Sequence, residues 1–286
     1  MSSARERFRS VISRPECTLA ANIFDPLSAR IAHMLNYEVC FLSGSVGKVA
    51  NLAVPDIVMT NMSDLVDVCR RITRIADVSL MHDGEDGFGN AVNVVRSVKE
   101  LEAAGVSAIE IEDAIPPLRF NQENPGLYSQ EEQVGKLEAA VAARTDPMTV
   151  IVARTTALTH FPLDEALDRI KAYSQTGVEA IRLAGLRTRD QLEAVHQATP
   201  LPLTVLSPPD DMMKDKAFLA ANGVRILMAG NPSFGMAVQA VYDCFKHLKE
   251  GGAVEDLASR EASSELLRQV NRTDEFIQLQ QQYLRG

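Results

Sequence analysis

Short apolar runs alternate with helix-like stretches along most of the chain. The runs are Thr18–Ile23, Glu38–Leu42, Val78–Met81, Ser107–Ile111, Met148–Ala153, Val178–Leu183, Leu201–Leu206 and Val224–Met228. Between them, apolar positions recur at helical spacing over Pro26–Leu35, Asn61–Ile75, Ala91–Ala104, Gln130–Ala143, Leu163–Gln175, Arg187–His196, Asp211–Ala221 and Ser233–Leu248. Asn61 or Ser63 caps one of these helices, and Gly105 and Gly177 are stop signals. Ser43–Gly47 reads as a small Gly/Ser loop.

Eight strand-then-helix units predict an α/β protein with a (β/α)8 barrel. The runs are continuously apolar, as parallel strands covered on both faces should be. A doubly wound sheet alternates in the same way and is the rival architecture, but the count closes at eight. Residues 1–286 are therefore expected to form one barrel domain. Residues 250–286 form a helical extension; its segment Val254–Leu284 is polar, rich in Gln, and able to pack on its own barrel or on another subunit.

Composition narrows the class. In 286 residues, 46% hydrophobic and 23% charged is globular composition, not that of a disordered chain. No stretch approaches the roughly 18–20 apolar residues of a membrane span. Met1–Arg14 is too charged to read as a secretory leader. A net charge of -9 argues against general nucleic-acid binding. Cys17, Cys40, Cys69 and Cys244 are scattered without a CxxC pair, which predicts reduced, mostly buried thiols and a cytoplasmic setting.

Barrel chemistry sits at the C-terminal ends of the strands. There the chain offers Ser43-Gly44-Ser45, the segment Asp83–Asn90, Glu112-Asp113, Arg154 and Asn231, with Asp56 in the loop beyond Ser45. Asp83, Glu85, Asp86 and Glu112 would share one rim and repel in a partly dry pocket. A bound cation relieves that, and all-oxygen ligands favour Mg2+ or Mn2+. Arg154 presents a planar fork suited to a substrate carboxylate. Each feature has a plainer reading: acids after strands commonly cap helices, and an arginine can be a structural ion pair. Strand alternation points His82 away from Asp83. His33, His196 and His247 fall on helices, and His160 in a loop after Arg154.

Ser43-Gly44-Ser45, Val54-Pro55-Asp56, Asp83 through Gly87-Phe88-Gly89-Asn90, Ile111-Glu112-Asp113 and Ala153-Arg154-Thr155 resemble, in order, the motifs of the isocitrate lyase/phosphoenolpyruvate mutase superfamily. The likeness spans about residues 4–250 and is strongest to the oxaloacetate decarboxylase branch, along Asn90–Arg96 and Val134-Gly135-Lys136. It implies a modified barrel whose eighth helix swaps between subunits of a homo-oligomer, a dimer or tetramer. It implies Mg2+ and a small 2-oxo diacid chelated through carboxylate and ketone. It assigns Asp83 and Glu85 to the metal, with Glu112 and Asp56 reaching it through water. Ser45 and the Gly44 and Ser45 amides hold substrate beside Ser43 and Asn231, and Arg154 holds the carboxylate. The implied reaction is decarboxylation of oxaloacetate to pyruvate and CO2 through an enolate, with Asp56, Glu112 and Arg154 as the catalytic set.

Departures from that pattern keep rivals in view. Glu85 stands where Asp is usual. Ala114–Phe120 lacks the Cys and His of the isocitrate-cleaving lyases, and Ala114 replaces the Lys of the phosphonate mutases. Pro208 and Asn231 fall where the decarboxylase branch carries Tyr and His. The alternatives are a C–C lyase or hydrolase acting on another 2-oxo or 2-hydroxy diacid, and a silent 2-oxo-acid binder.

Overall fold

A computed structural model describes residues 3–57, 59–117, 120–122 and 126–284. Leu118 and Arg119, within the stretch compared above with the lyase loop, lie outside the described residues. The chain divides into two compact units, Met1–Asn231 and Pro232–Gly286.

The first unit is a closed barrel of eight parallel strands in sequence order. They are β1 (Thr18–Ile23), β2 (Val39–Leu42), β3 (Ser79–Asp83), β4 (Ala108–Glu112), β5 (Val150–Thr155), β6 (Ala180–Leu183), β7 (Leu203–Leu206) and β8 (Val224–Met228). Leu19 on β1 pairs with Leu227 on β8, which closes the ring and excludes the doubly wound sheet. The helices of this unit are α1 (Ala4–Ser13), α2 (Pro26–Met34), α3 (Gly44–Leu52), α4 (Met62–Ile75), α5 (Ala91–Ala103), α6 (Gln130–Ala143), α7 (Ala157–His160), α8 (Leu163–Ser174), α9 (Arg189–Ala198), α10 (Asp210–Met213) and α11 (Lys216–Ala221).

Strand alternation sorts the core into two layers. Outward residues such as Leu80, Ile109, Ile151 and Ile181 pack with apolar residues of the surrounding helices. Inward residues Phe41, Met81, Ala108, Val152, Ala180 and Met228 pack with Phe8, Val11 and Ile12 of α1. The same parity turns Asp83, Glu110, Glu112, Arg154 and Arg182 inward. Arg182 pairs with Glu110 inside the barrel, its guanidinium 4.6 Å from the Phe41 ring centroid.

Several local expectations change. Ser43–Gly47 is not a loop: Ser43 precedes α3, and Gly44 opens it. The expected Asp211–Ala221 helix is two helices, because the Asp215 side chain accepts from the Phe218 N–H and starts a new one. His160 ends α7 rather than lying in a loop. Of the four free cysteines only Cys40 and Cys69 are buried.

The second unit holds α12 (Pro232–Lys249), a 3₁₀ helix at Val254–Arg260, α13 (Ser264–Val270) and α14 (Thr273–Tyr283). α12 buries none of its residues, and its Met236, Tyr242 and Phe245 are exposed. No described helix is long and apolar enough to cross a membrane.

Candidate active site

Asp83 is the last residue of β3, and the chain then turns sharply over β4. Gly84 permits the turn, since a Cβ there would stand 2.6 Å from the Glu110 carbonyl oxygen. Glu85 adopts φ 53°, the left-handed region unfavourable to residues with a side chain. Its N–H donates to Asp83 Oδ1 at 3.1 Å, and its carbonyl accepts from the Glu112 N–H at 2.8 Å. These bonds hold both carboxylates at one strand end.

Arg154 enters from β5 and ties two acids together. Its Nη1 donates to Asp83 Oδ2 at 2.5 Å, and its Nη2 lies 3.1 Å from Glu112 Oε2. Its buried Nε has no hydrogen-bond partner. Arg154 therefore keeps a donor beyond its two ion pairs.

A second cation completes the cluster. Lys48 lies four residues after Gly44 on α3, so the two share a helical face. Its Nζ donates to Asp56 Oδ1 at 2.8 Å and lies 2.6 Å from Glu85 Oε1. The lysine side chain is 1% exposed, while that of Asp56 is 57% exposed. α3 reaches the acids because Gly44 carries no side chain: a Cβ there would meet Glu85 Oε1 at 2.7 Å and Asp83 Oδ2 at 3.2 Å.

The electrostatics follow from this packing. Burial works to raise the Asp83 carboxyl, but Arg154 and then Arg182 hold it well below the usual carboxylate range. Glu85 is pushed up to about 8, first by burial and then by the charge of Asp83, with Lys48 opposing. Burial pushes Glu112 up to about 7 against the pull of Arg154. Burial works to lower the Lys48 ammonium, and Glu85 and Asp56 together raise it. The expected crowd of acids is thus already interleaved with two side-chain cations.

Lys48, Asp56, Ile57, Asp83, Glu85, Glu112, Ala114, Pro116, Arg154 and Thr156 line a cavity of about 210 Å³. This brings together Asp56, Asp83, Glu85, Glu112 and Arg154 from the sequence prediction. Gly44 stands behind the acids. Ser43, Ser45 and Asn231 are not among the lining residues. The Ser43 and Ser45 hydroxyl oxygens lie 2.9 Å apart, and the Asn231 Oδ1 accepts from Asn22 Nδ2 at 3.2 Å.

Among the described residues no three His, Cys, Asp or Glu side chains form a ready cage for a metal ion. Two carboxylates do converge, since Glu85 Oε1 and Asp83 Oδ2 both pack against Gly44 and both residues line the cavity. Mg2+ commonly takes only one or two protein carboxylates and leaves its other positions to water and substrate oxygens. The Asp83–Glu85 pair fits such an ion.

Neighbouring polar residues serve the scaffold. Asp86 accepts from the Tyr128 hydroxyl at 2.7 Å and from Lys136 Nζ at 3.2 Å. Asp113 accepts from the Thr155 and Tyr173 hydroxyls at 2.6 and 3.0 Å. His82 is buried on the outer side of β3, with Nδ1 3.0 Å from the Leu42 carbonyl oxygen. Burial lowers its basicity, and it stands apart from the cavity.

Lys48 is the residue that sequence reasoning missed. With Ser43–Gly47 read as a loop, position 48 had no assigned direction. The spacing of Gly44 and Lys48, four apart, was the signal.

Known proteins place this site in context. An oxaloacetate decarboxylase of Rhodopseudomonas palustris strain BisA53 is 40% identical over 270 residues, covering 94% of this chain and 93% of its own. One from Paraburkholderia xenovorans strain LB400 is 37% identical over 283 residues, covering 99% and 94%. A phosphonopyruvate hydrolase solved with oxalate and Mg++ superposes with a TM-score of 0.87 at 29% identity, covering 99% of this chain and 100% of that one. A phosphoenolpyruvate phosphomutase from Streptomyces platensis subsp. rosaceus gives 0.88 at 28% identity, with the same coverage. The family model for phosphoenolpyruvate phosphomutase matches residues 8–249. That match runs from within α1 to the end of α12 and contains all eight strands, so the chain belongs to the phosphoenolpyruvate phosphomutase family.

Proposed function

We propose that the chain is a divalent-cation-dependent carboxy-lyase that converts oxaloacetate to pyruvate and CO2. The observation that carries this reading is the convergence of Asp83, Glu85 and Arg154 on one cavity. The relatives named oxaloacetate decarboxylase, at 37–42% identity over most of their length, support the choice of substrate.

Oxaloacetate loses its C4 carboxylate when the C3–C4 bond electrons move to the C2 oxygen, leaving an enolate. Asp83 and Glu85 would hold a divalent cation, which would supply Lewis-acid charge for that oxygen. Arg154 binds the C1 carboxylate through donors left over from its two ion pairs, in the planar manner of a guanidinium. Asp83 and Glu112 keep that fork oriented from two strands. The Gly44 and Ser45 N–H groups open α3, and a helix start favours the developing negative charge. Ile57, Ala114 and Pro116 add apolar surface to the cavity wall. A proton from water returns to C3, and pyruvate leaves. No covalent nucleophile is required.

The residues Met236, Tyr242 and Phe245 exposed on α12 support a homo-oligomeric assembly. The test of function is a panel of 2-oxo and 2-hydroxy diacids, with and without Mg2+ or Mn2+, following pyruvate and CO2. Cation-dependent release of both from oxaloacetate is expected. Cleavage of another diacid to different products would move the chain to the lyase or hydrolase alternative. Binding without turnover would make it a silent binder.

A further inference from the structure

A buried lysine holds the same oxygen that the cation requires. Glu85 Oε1 packs against Gly44 on the wall of the cavity, and Lys48 Nζ stands 2.6 Å from it. A divalent ion binds a carboxylate oxygen at about 2.0–2.1 Å if it is Mg2+, so an ammonium held at that oxygen faces the ion's positive charge at close range and is repelled by it. Lys48 also has a second partner to retreat to, since Asp56 Oδ1 lies 2.8 Å from Nζ. Asp56 belongs to the loop between α3 and α4, is more than half exposed, and lines the same cavity. The lysine thus bridges a site acid and a loop acid.

We propose that Lys48 is a positioning residue that competes with the divalent cation for Glu85 and yields to it by pairing with Asp56 alone. This rests on the reading of Asp83 and Glu85 as the cation pair. Lys48 then sets the affinity for the cation, and the arrival of the cation tightens the hold of Lys48 on the Asp56 loop. Asp56 influences cation binding through the lysine.

The test is Mn2+ binding to the full chain, read from the electron paramagnetic resonance signal of free Mn2+. It compares wild type, Lys48→Met, Asp56→Asn, the double variant Lys48→Met/Asp56→Asn, and Asp83→Asn. Removing a competing positive charge from the ion's immediate surroundings should tighten Mn2+ binding by about tenfold in Lys48→Met. Asp56→Asn should weaken binding, because Lys48 loses its retreat, and should have a much smaller effect once Lys48 is Met. Lys48→Gln replaces Lys48→Met if circular dichroism shows that the latter fails to fold. Equal or weaker Mn2+ binding in the lysine variant, with Asp83→Asn still abolishing binding, overturns the role of Lys48 and leaves the cation pair standing. An Asp56→Asn effect that persists undiminished without the lysine overturns it too. Failure of both wild type and the lysine variant to bind Mn2+ removes the cation pair itself, and the proposal with it.

Discussion

Arg154 on β5 reaches past β4 to Asp83 on β3, placing Nη1 2.5 Å from Oδ2. Its other terminal nitrogen meets Glu112, on the strand between them, at 3.1 Å. One planar group therefore orients acids from two neighbouring strands. A point charge on a flexible stem cannot hold both and still present a donor to substrate.

Arg154→Lys is accordingly expected to weaken binding of oxalate, an enolpyruvate mimic, in the presence of Mg2+. The loss should be about 1.5–3 kcal/mol, as for a charged hydrogen bond. Isothermal titration calorimetry checks it, and equal affinity in both proteins would remove Arg154 from substrate binding.

Gly44→Ala tests the close approach of α3 to the acids. Gly44 is the first residue of the helix, where alanine's mid-helix advantage of roughly 0.5–1 kcal/mol does not apply, so the melting temperature should hold or fall. The new methyl would stand 2.7 Å from Glu85 Oε1 and push that carboxylate out of place. Displacements of this kind cost about a hundredfold in rate. Retained activity would show that the close approach of α3 to the acids does not matter.

Cation binding should depend on pH with a defined sign. Glu85 and Glu112 are held up to about 8 and 7, so both keep protons at mildly acidic pH in the metal-free chain. A bound cation favours the carboxylate and expels protons. Mn2+ affinity should rise between about pH 6 and 8, with proton release visible when calorimetry is repeated in buffers of different ionisation enthalpy. These raised carboxyls also make the metal-free fold lose stability as pH climbs from about 5 to 8. An affinity flat across that range would mean that neither group protonates in the free site.

The parts of this site that were legible in the sequence are those that strand geometry dictates. Parity alone sets Asp83 and Met81 inward and His82 outward, and it sets Glu112 and Arg154 inward on their own strands. β1 and β8 have the predicted limits, and β8 is set off by Gly223 before it and Ala229-Gly230 after it. The helices were harder. α1 carries its apolar face on Phe8, Val11 and Ile12 among arginines, and those residues show their purpose only once the inner layer they pack against is known. α3 contains Gly44 and Gly47, poor helix formers. Its helical state depends on tertiary packing, and with it the direction of Lys48. The carboxylate crowding that suggested a cation was visible in the sequence. The lysine among those carboxylates was not.

The most direct test is pyruvate formation from oxaloacetate by wild type and Asp83→Asn, assayed as purified, after EDTA treatment, and after Mg2+ is restored. Wild type should form pyruvate, lose that activity in EDTA and regain it with Mg2+, while the correctly folded Asp83→Asn variant stays inactive throughout. Pyruvate formation that survives EDTA, or an Asp83→Asn variant as active as wild type, would contradict the account.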